Sequence, residues 1–185
     1  MVVSNVMKWD RFVHPDPNIG RVASVYLSED RRFIKKYYNP DNITVSGEQT
    51  IQTSEYINQK WEAEVASQIQ LHGLPWVPKL VEINVNEKSV TQEYYGPDLL
   101  IQGYDDIPDI EDQIVEIYKY FKEIDVYKLN GALSNMTKLD GKVIMFDFKY
   151  MRRRTDDLKP YALYEINEWL SKISPTLAPR LKELI

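Results

Sequence analysis

Residues 126–149 read VYKLNGALSNMTKLDGKVIMFDFK, and this stretch decides how the whole chain is read. Its second half is a hairpin. Residues 136–139 and 142–148 flank Asp140-Gly141, a dipeptide suited to the two positive-φ positions of a tight β-turn. The residues at the hairpin's ends are polar: Asn135 stands just ahead of it, and Asp147 follows four apolar residues, 143–146. An acid directly after such a run needs a partner, because burying a lone carboxylate is costly. An amide and a carboxylate so placed supply the hard oxygen donors that Mg²⁺ takes.

Working outward, residues 109–124 carry Ile110, Ile114, Ile117, Phe121 and Ile124 on one face, the period of an amphipathic helix. Residues 125–135 read as irregular. On the other side lie Arg152, Arg153 and Arg154, then a helix capped by Asp156 or Asp157 with Pro160 in its first turn. Leu163, Ile166, Trp169, Leu170 and Ile173 are its expected buried face, and a short helix is expected at 180–185.

The first half reads differently. Residues 21–27 and 32–38 form a β-hairpin around Ser28-Glu29-Asp30. Asn39-Pro40-Asp41-Asn42 ends it, and 43–53 read as loop. Residues 54–71 read as a helix with Ile57, Trp61, Val65, Ala66 and Ile69 as the apolar stripe; His72-Gly73 and Pro75 close it. Residues 79–85 and 88–95 are two further strands, and 96–107 is the seam. The fold class is therefore α+β, a sheet with one helix followed by a mainly helical part. Lys35 or Lys36 sits in an otherwise apolar strand, and Glu62 and Glu64 sit on the first helix. A lysine held by a helix glutamate and reaching phosphates would complete a nucleotide site.

Composition narrows the classes. The chain has 185 residues, about one domain, with 43% hydrophobic and 28% charged residues, which describes a globular chain. It has no cysteine, which excludes disulfides and thiol catalysis; two histidines, His14 and His72, argue against a histidine-rich metal site. A net charge of −5 argues against a broad nucleic-acid surface. No export signal or membrane-spanning run is readable, so the expected location is the cytoplasm.

These residues, in this order, resemble the protein-kinase-like superfamily, in the reduced form found in small-molecule and lipopolysaccharide kinases. The superfamily's G-x-G-x-x-G-x-V pattern falls on residues 18–25, NIGRVASV, where Gly20 keeps the middle glycine, Ala23 takes the third place and Val25 the valine. RFIK at 32–35 stands where the superfamily has V-A-I-K. Lys35 is the choice there and Lys36 the alternative, because a one-residue slip turns the side chain to the other face. Glu64 rather than Glu62 is the implied partner. VTQEYYG at 90–96 resembles the hinge, with Glu93, Tyr94 and Tyr95 meeting adenine. KLNGALSN at 128–135 keeps the spacing of H-R-D-x-x-x-x-N, with Asn135 at the metal-binding asparagine and Asn130 in place of the catalytic aspartate. Asp147-Phe148-Lys149 stands for D-F-G.

The resemblance implies two lobes, 1–95 and 96–185, that bind ATP and Mg²⁺ between them. Lys35 would meet the α- and β-phosphates, and Asn135 and Asp147 the metal. Transfer of a phosphoryl group to a hydroxyl acceptor would occur near Asn130. An amide cannot take a proton, and a general base contributes ~10²–10⁴ in rate. The alternatives are therefore a catalytically weak or inactive pseudokinase serving as a binding or regulatory module, and an α+β interaction protein. No A-P-E segment follows Asp147, so the peptide-substrate platform of protein kinases is not expected. Arg152, Arg153 and Arg154 are a solvated face or a clamp for an acidic or phosphorylated partner.

Overall fold

The structure is a computed structural model that describes residues 8–12, 22–39 and 53–185. Gly20 and His14 lie outside the described residues. The chain divides into two compact units. The first comprises the described residues up to His72 together with Lys79–Tyr94; the second comprises Gly73–Pro78 and Tyr95–Ile185.

The first unit is a five-stranded antiparallel sheet and one helix. Its strands are β1 (Trp9–Phe12), β2 (Ser24–Ser28), β3 (Phe33–Tyr37), β4 (Leu80–Asn84) and β5 (Ser89–Glu93), in the order β1-β2-β3-β5-β4. Ser28 shapes the turn between β2 and β3. Its hydroxyl accepts from the backbone of Phe33 at 3.0 Å and of Arg32 at 3.2 Å, and donates to Asp30 at 2.6 Å. Strand β1 was not foreseen: WDRF is a short edge strand with no readable alternation.

Helix α1 (Ser54–Leu71) starts where Thr53 accepts the Tyr56 N–H at 3.2 Å. Its buried face differs from the expected stripe. Ile57, Lys60, Glu64, Ser67, Gln68 and Leu71 are buried, while Ile69 is 62% exposed. The spacing 57, 60, 64, 67, 71 follows the helix period, and the face includes Glu64, the residue that answers a buried cation on the sheet. Tyr38 and Ile57 join Val22 and Ala23 in a small core, with Tyr56 and Trp61 against it.

The second unit holds four helices and two small sheets. Helix α2 (Leu99–Gln102) lies within the expected seam, capped by Asp98, which accepts from Leu100 at 3.0 Å and Ile101 at 3.2 Å. Helix α3 (Ile110–Glu123) buries Ile114, Val115, Ile117, Tyr118 and Phe121. Residues expected to be irregular contain strand β6 (Val126–Lys128), which pairs with β9 (Met151–Arg153). Strands β7 (Met136–Leu139) and β8 (Lys142–Met145) form the expected hairpin, with Asp140 at φ 50° and Gly141 at φ 72°. Trp76, from the Gly73–Pro78 segment, accepts the Met145 N–H at 2.8 Å. Its indole meets Phe121 and Phe148 edge-on at 5.4 and 6.4 Å.

Helix α4 (Lys159–Glu168) has Pro160 in its first turn, but neither Asp156 nor Asp157 caps it. Its inner face is Ala162, Glu165 and Ile166; Trp169, expected inside, is 46% exposed because the helix ends before it. Helix α5 (Leu177–Lys182) starts three residues earlier than expected and is tied to α3 by Arg180, 2.6 Å from Asp112.

Candidate functional site

Two polar clusters stand out, one in each unit. In the first, β3 puts residues 33, 35 and 37 on one face and 34 and 36 on the other. The second face is the one that carries the helix. Lys36 lies opposite Val25 on β2 and Val90 on β5, and its ammonium donates to Glu64 at 3.2 Å. The pair is nearly dry, with side-chain exposures of 9% and 0%. Gln68 donates to the same Glu64 oxygen at 3.1 Å, while Glu64 Oε2 is buried without a hydrogen-bond partner among the described residues.

Lys35, the residue expected to meet Glu64, does not. It faces the other way, donates to Glu87 at 2.5 Å, and lies against the Tyr37 ring at 5.5 Å. That hydrogen bond holds the Glu87 carboxyl below its usual range. The pairing expected of Lys35 is thus made by Lys36, because the register of β3 turns the even residue inward. Glu62 is exposed. Ala23 is buried in the small core, and Val25 is half-buried beside Lys36. Glu93 ends β5, its N–H bonded to Lys79 at 2.9 Å and its carboxylate 3.4 Å from the Lys79 ammonium. The Tyr94 N–H is bonded to Arg32 at 2.9 Å, and the Tyr95 carbonyl accepts from Thr137 at 3.4 Å.

The second cluster is the stretch that opened the sequence reading. Asn135 and Asp147 stand at the open end of the β7–β8 hairpin, drawn together by a Phe146 N–H bond to the Asn135 carbonyl at 2.9 Å. The Asn135 side chain donates to the Asn130 carbonyl at 2.7 Å. Asn130 and Asp147 both adopt left-handed backbone, at φ 59° and 64°, a conformation that Asn and Asp tolerate best among residues with a side chain. Lys128 donates to the carbonyls of Leu129 at 2.9 Å and Asn130 at 3.1 Å, and lies over the Phe148 ring.

Three residues here were not picked from the sequence. Glu165 on α4 accepts the Asn130 N–H at 2.6 Å and so anchors the loop from below. Burial pushes its carboxyl up, against the opposing pull of that N–H, of Tyr161 and of Lys128. Its position between Ala162 and Ile166 on an inward helix face was the available signal. Lys128 has only a place in KLNGALSN at the level of sequence. Lys149 binds both oxygens of Asp147, and both side chains are buried. A lysine two residues after an acid, in a motif position that lacks a side chain, was legible as a possible neutraliser.

This arrangement decides how well Mg²⁺ fits. Asp147's charge is already met by an ammonium, whereas the Asn135 amide donates through its nitrogen and keeps its oxygen as a donor atom for a metal. Among the described residues no three acidic or histidine side chains gather as metal ligands. As arranged, Asp147 does not fit Mg²⁺: the one carboxylate the ion would take already carries an ammonium on both oxygens, whose like charge opposes a second cation. Of the three arginines, Arg153 is exposed and 3.4 Å from Asp125. Arg152 donates to the Met151 carbonyl at 2.7 Å. Arg154 donates to the Leu184 carbonyl at 2.8 Å and stacks on Tyr127 at 4.6 Å.

The α+β architecture, an antiparallel sheet with one helix followed by a mainly helical unit, is a protein-kinase-like fold. The solved structure of the bifunctional kinase-methyltransferase WbdD matches it over 96% of this chain, with a TM-score of 0.57 and 12% sequence identity. This chain spans 45% of the length of that one. No protein-family model and no curated protein sequence matches the chain. Among the described residues no helix is long and apolar enough to cross a membrane.

Proposed function

We propose that the chain is a kinase-fold nucleotide-binding module that carries out no phosphoryl transfer, a pseudokinase of the reduced type. The buried Lys36–Glu64 pair carries the binding half of this reading. Two charges taken out of water seldom stabilise a fold, and apolar residues of similar volume usually serve it as well or better. A lysine held rigid by such a pair is a ready ligand for phosphate oxygens, and Lys36 takes the role first assigned to Lys35. ATP is the ligand the resemblance implies.

The silent half rests on Asn130 and Asp147. Asn130 has no capacity to accept a proton at neutral pH. Asp147, the acid that would bind metal, is neutralised by Lys149. Both supports for transfer chemistry are therefore absent from the loop that would provide them.

The test is calorimetric titration with ATP of the wild type and of Lys36→Met/Glu64→Met, which removes both charges together. The wild type should bind and the double variant should not. ATP at 100 Kd should raise wild-type stability by about 2.7 kcal/mol. ADP release by the wild type should not exceed that of the double variant. Equal binding by both proteins refutes the role of Lys36. Turnover that depends on Asn135 refutes silence and favours a phosphotransferase acting on a hydroxyl acceptor.

A further inference from the structure

Lys149 is held with care. The short turn Phe148–Tyr150 brings its side chain back over Asp147, and both carboxylate oxygens receive its ammonium. The side-chain exposures are 11% for Lys149 and 12% for Asp147, so this is a nearly dry pair rather than a surface contact. The Tyr150 ring lies 5.1 Å from the ammonium, and Arg152 donates to the Lys149 carbonyl at 3.2 Å. An ammonium carries three N–H donors. Two directions are taken by Asp147, and among the described residues the third, on an ammonium beside the Tyr150 ring, meets no hydrogen-bond acceptor, so an oxygen of an incoming anion can take it.

We propose that Lys149 is a built-in cation on Asp147, seated where a divalent metal would otherwise bind, and that the site takes a polyphosphate without metal. The polyphosphate half rests on the nucleotide reading above; the cation half does not. An ammonium chelated by a carboxylate has the sign, if not the full charge, of a bound metal ion. Being covalently tethered, it needs no recruitment from solution. It also takes a lone pair on each carboxylate oxygen and repels a divalent ion by its like charge.

Manganese titration, followed by electron paramagnetic resonance of the full chain, tests the cation half. The wild type should show no saturable Mn²⁺ site, and Lys149→Ala should gain one that Lys149→Ala/Asp147→Asn lacks. Lys149→Met serves as a second variant if the alanine form does not fold, as judged by circular dichroism. A saturable wild-type site that Asp147→Asn removes overturns the proposal without any lysine variant. So does a folded Lys149→Met or Lys149→Ala with no gained site.

ATP titration in Mg²⁺ and in EDTA tests the other half. Wild-type affinities should agree within about twofold, and the Lys149 variant should bind at least about tenfold tighter in Mg²⁺. A wild type that binds ATP only with Mg²⁺ overturns the metal-free site. Absence of ATP binding in both buffers overturns the nucleotide reading and the polyphosphate half together, and the Mn²⁺ result still decides the cation half.

Discussion

Replacing Lys36 by methionine keeps the stem of the side chain and removes its charge. The Glu64 carboxylate left behind has 0% side-chain exposure. Gln68 still donates to Oε1, but among the described residues Oε2 has no hydrogen-bond partner to take over. Breaking one side of a buried pair in this way costs about 3–5 kcal/mol. For chains of this length, 1 kcal/mol moves Tm by about 2–4 °C, so Lys36→Met should lower Tm by roughly 6–20 °C. Lys35→Met is the internal control. Its partner Glu87 is 42% exposed, so the pair is screened by water and worth below about 1 kcal/mol. The double variant Lys36→Met/Glu64→Leu removes both charges and should recover most of the loss. Urea unfolding of the four proteins gives the numbers directly. A Lys35→Met loss as large as that of Lys36→Met would refute the assignment of the inward lysine. A double variant no better than the single would refute the view that the stranded carboxylate is the cost.

Three further outcomes follow from the loop. Glu165→Ala leaves the Asn130 N–H without its acceptor and should cost about 1–3 kcal/mol, whereas Glu165→Gln keeps an acceptor and should cost less. Burial raises the Glu165 carboxyl above the usual 4.5, so its protonated form is the one the fold favours. Wild-type stability relative to Glu165→Gln should therefore be greatest below that value and decline as pH rises through the raised folded one, read by urea unfolding across pH. Gly131→Ala would place a methyl against the Tyr118 hydroxyl, while the ring carbon behind it lies 3.5 Å away, an ordinary contact. Gly131→Ala should thus destabilise by about 1–3 kcal/mol, and Tyr118→Phe in the same chain should restore most of it; a double variant as unstable as the single would show the clash to be with something else.

What was legible in the sequence was whatever had a long period or a strict turn. Fourteen residues of α3 repeat their apolar pattern, and Asp140-Gly141 admits few conformations but a tight hairpin. The strands of three and four residues, β6 and β1, are too short to show an alternation and drew no notice. The buried face of α1 departs from its apolar stripe for a different reason. An apolar stripe marks a buried helix face only where the core is apolar, and this helix turns its Glu64 and Gln68 inward while Ile69 stays in water. That same choice hid the answer to Lys35 against Lys36. Both lysines sit between aromatic and aliphatic neighbours in FIKKY, so alternation alone does not say which is inside; the partner on α1 does. In the loop, the spacing from Asn130 to Asn135 and Asp147 was readable. The roles of Lys149 and Glu165 were not, since each depends on a side chain returning to a place set by tertiary contacts.

Trp76 belongs to a segment that precedes β4 and β5 in the chain yet is part of the second unit. The order of synthesis therefore matters. The sheet is complete as soon as Tyr94 has been made, whereas Trp76 has to wait for Phe121, Met145 and Phe148 before its ring and carbonyl are satisfied. Cutting the chain at Tyr95 consequently yields no independent second half. A fragment starting there lacks the indole against which two buried rings close and the carbonyl that Met145 needs. The two units are interleaved in sequence. Any attempt to swap or shorten one of them has to carry residues 73–78 with the second.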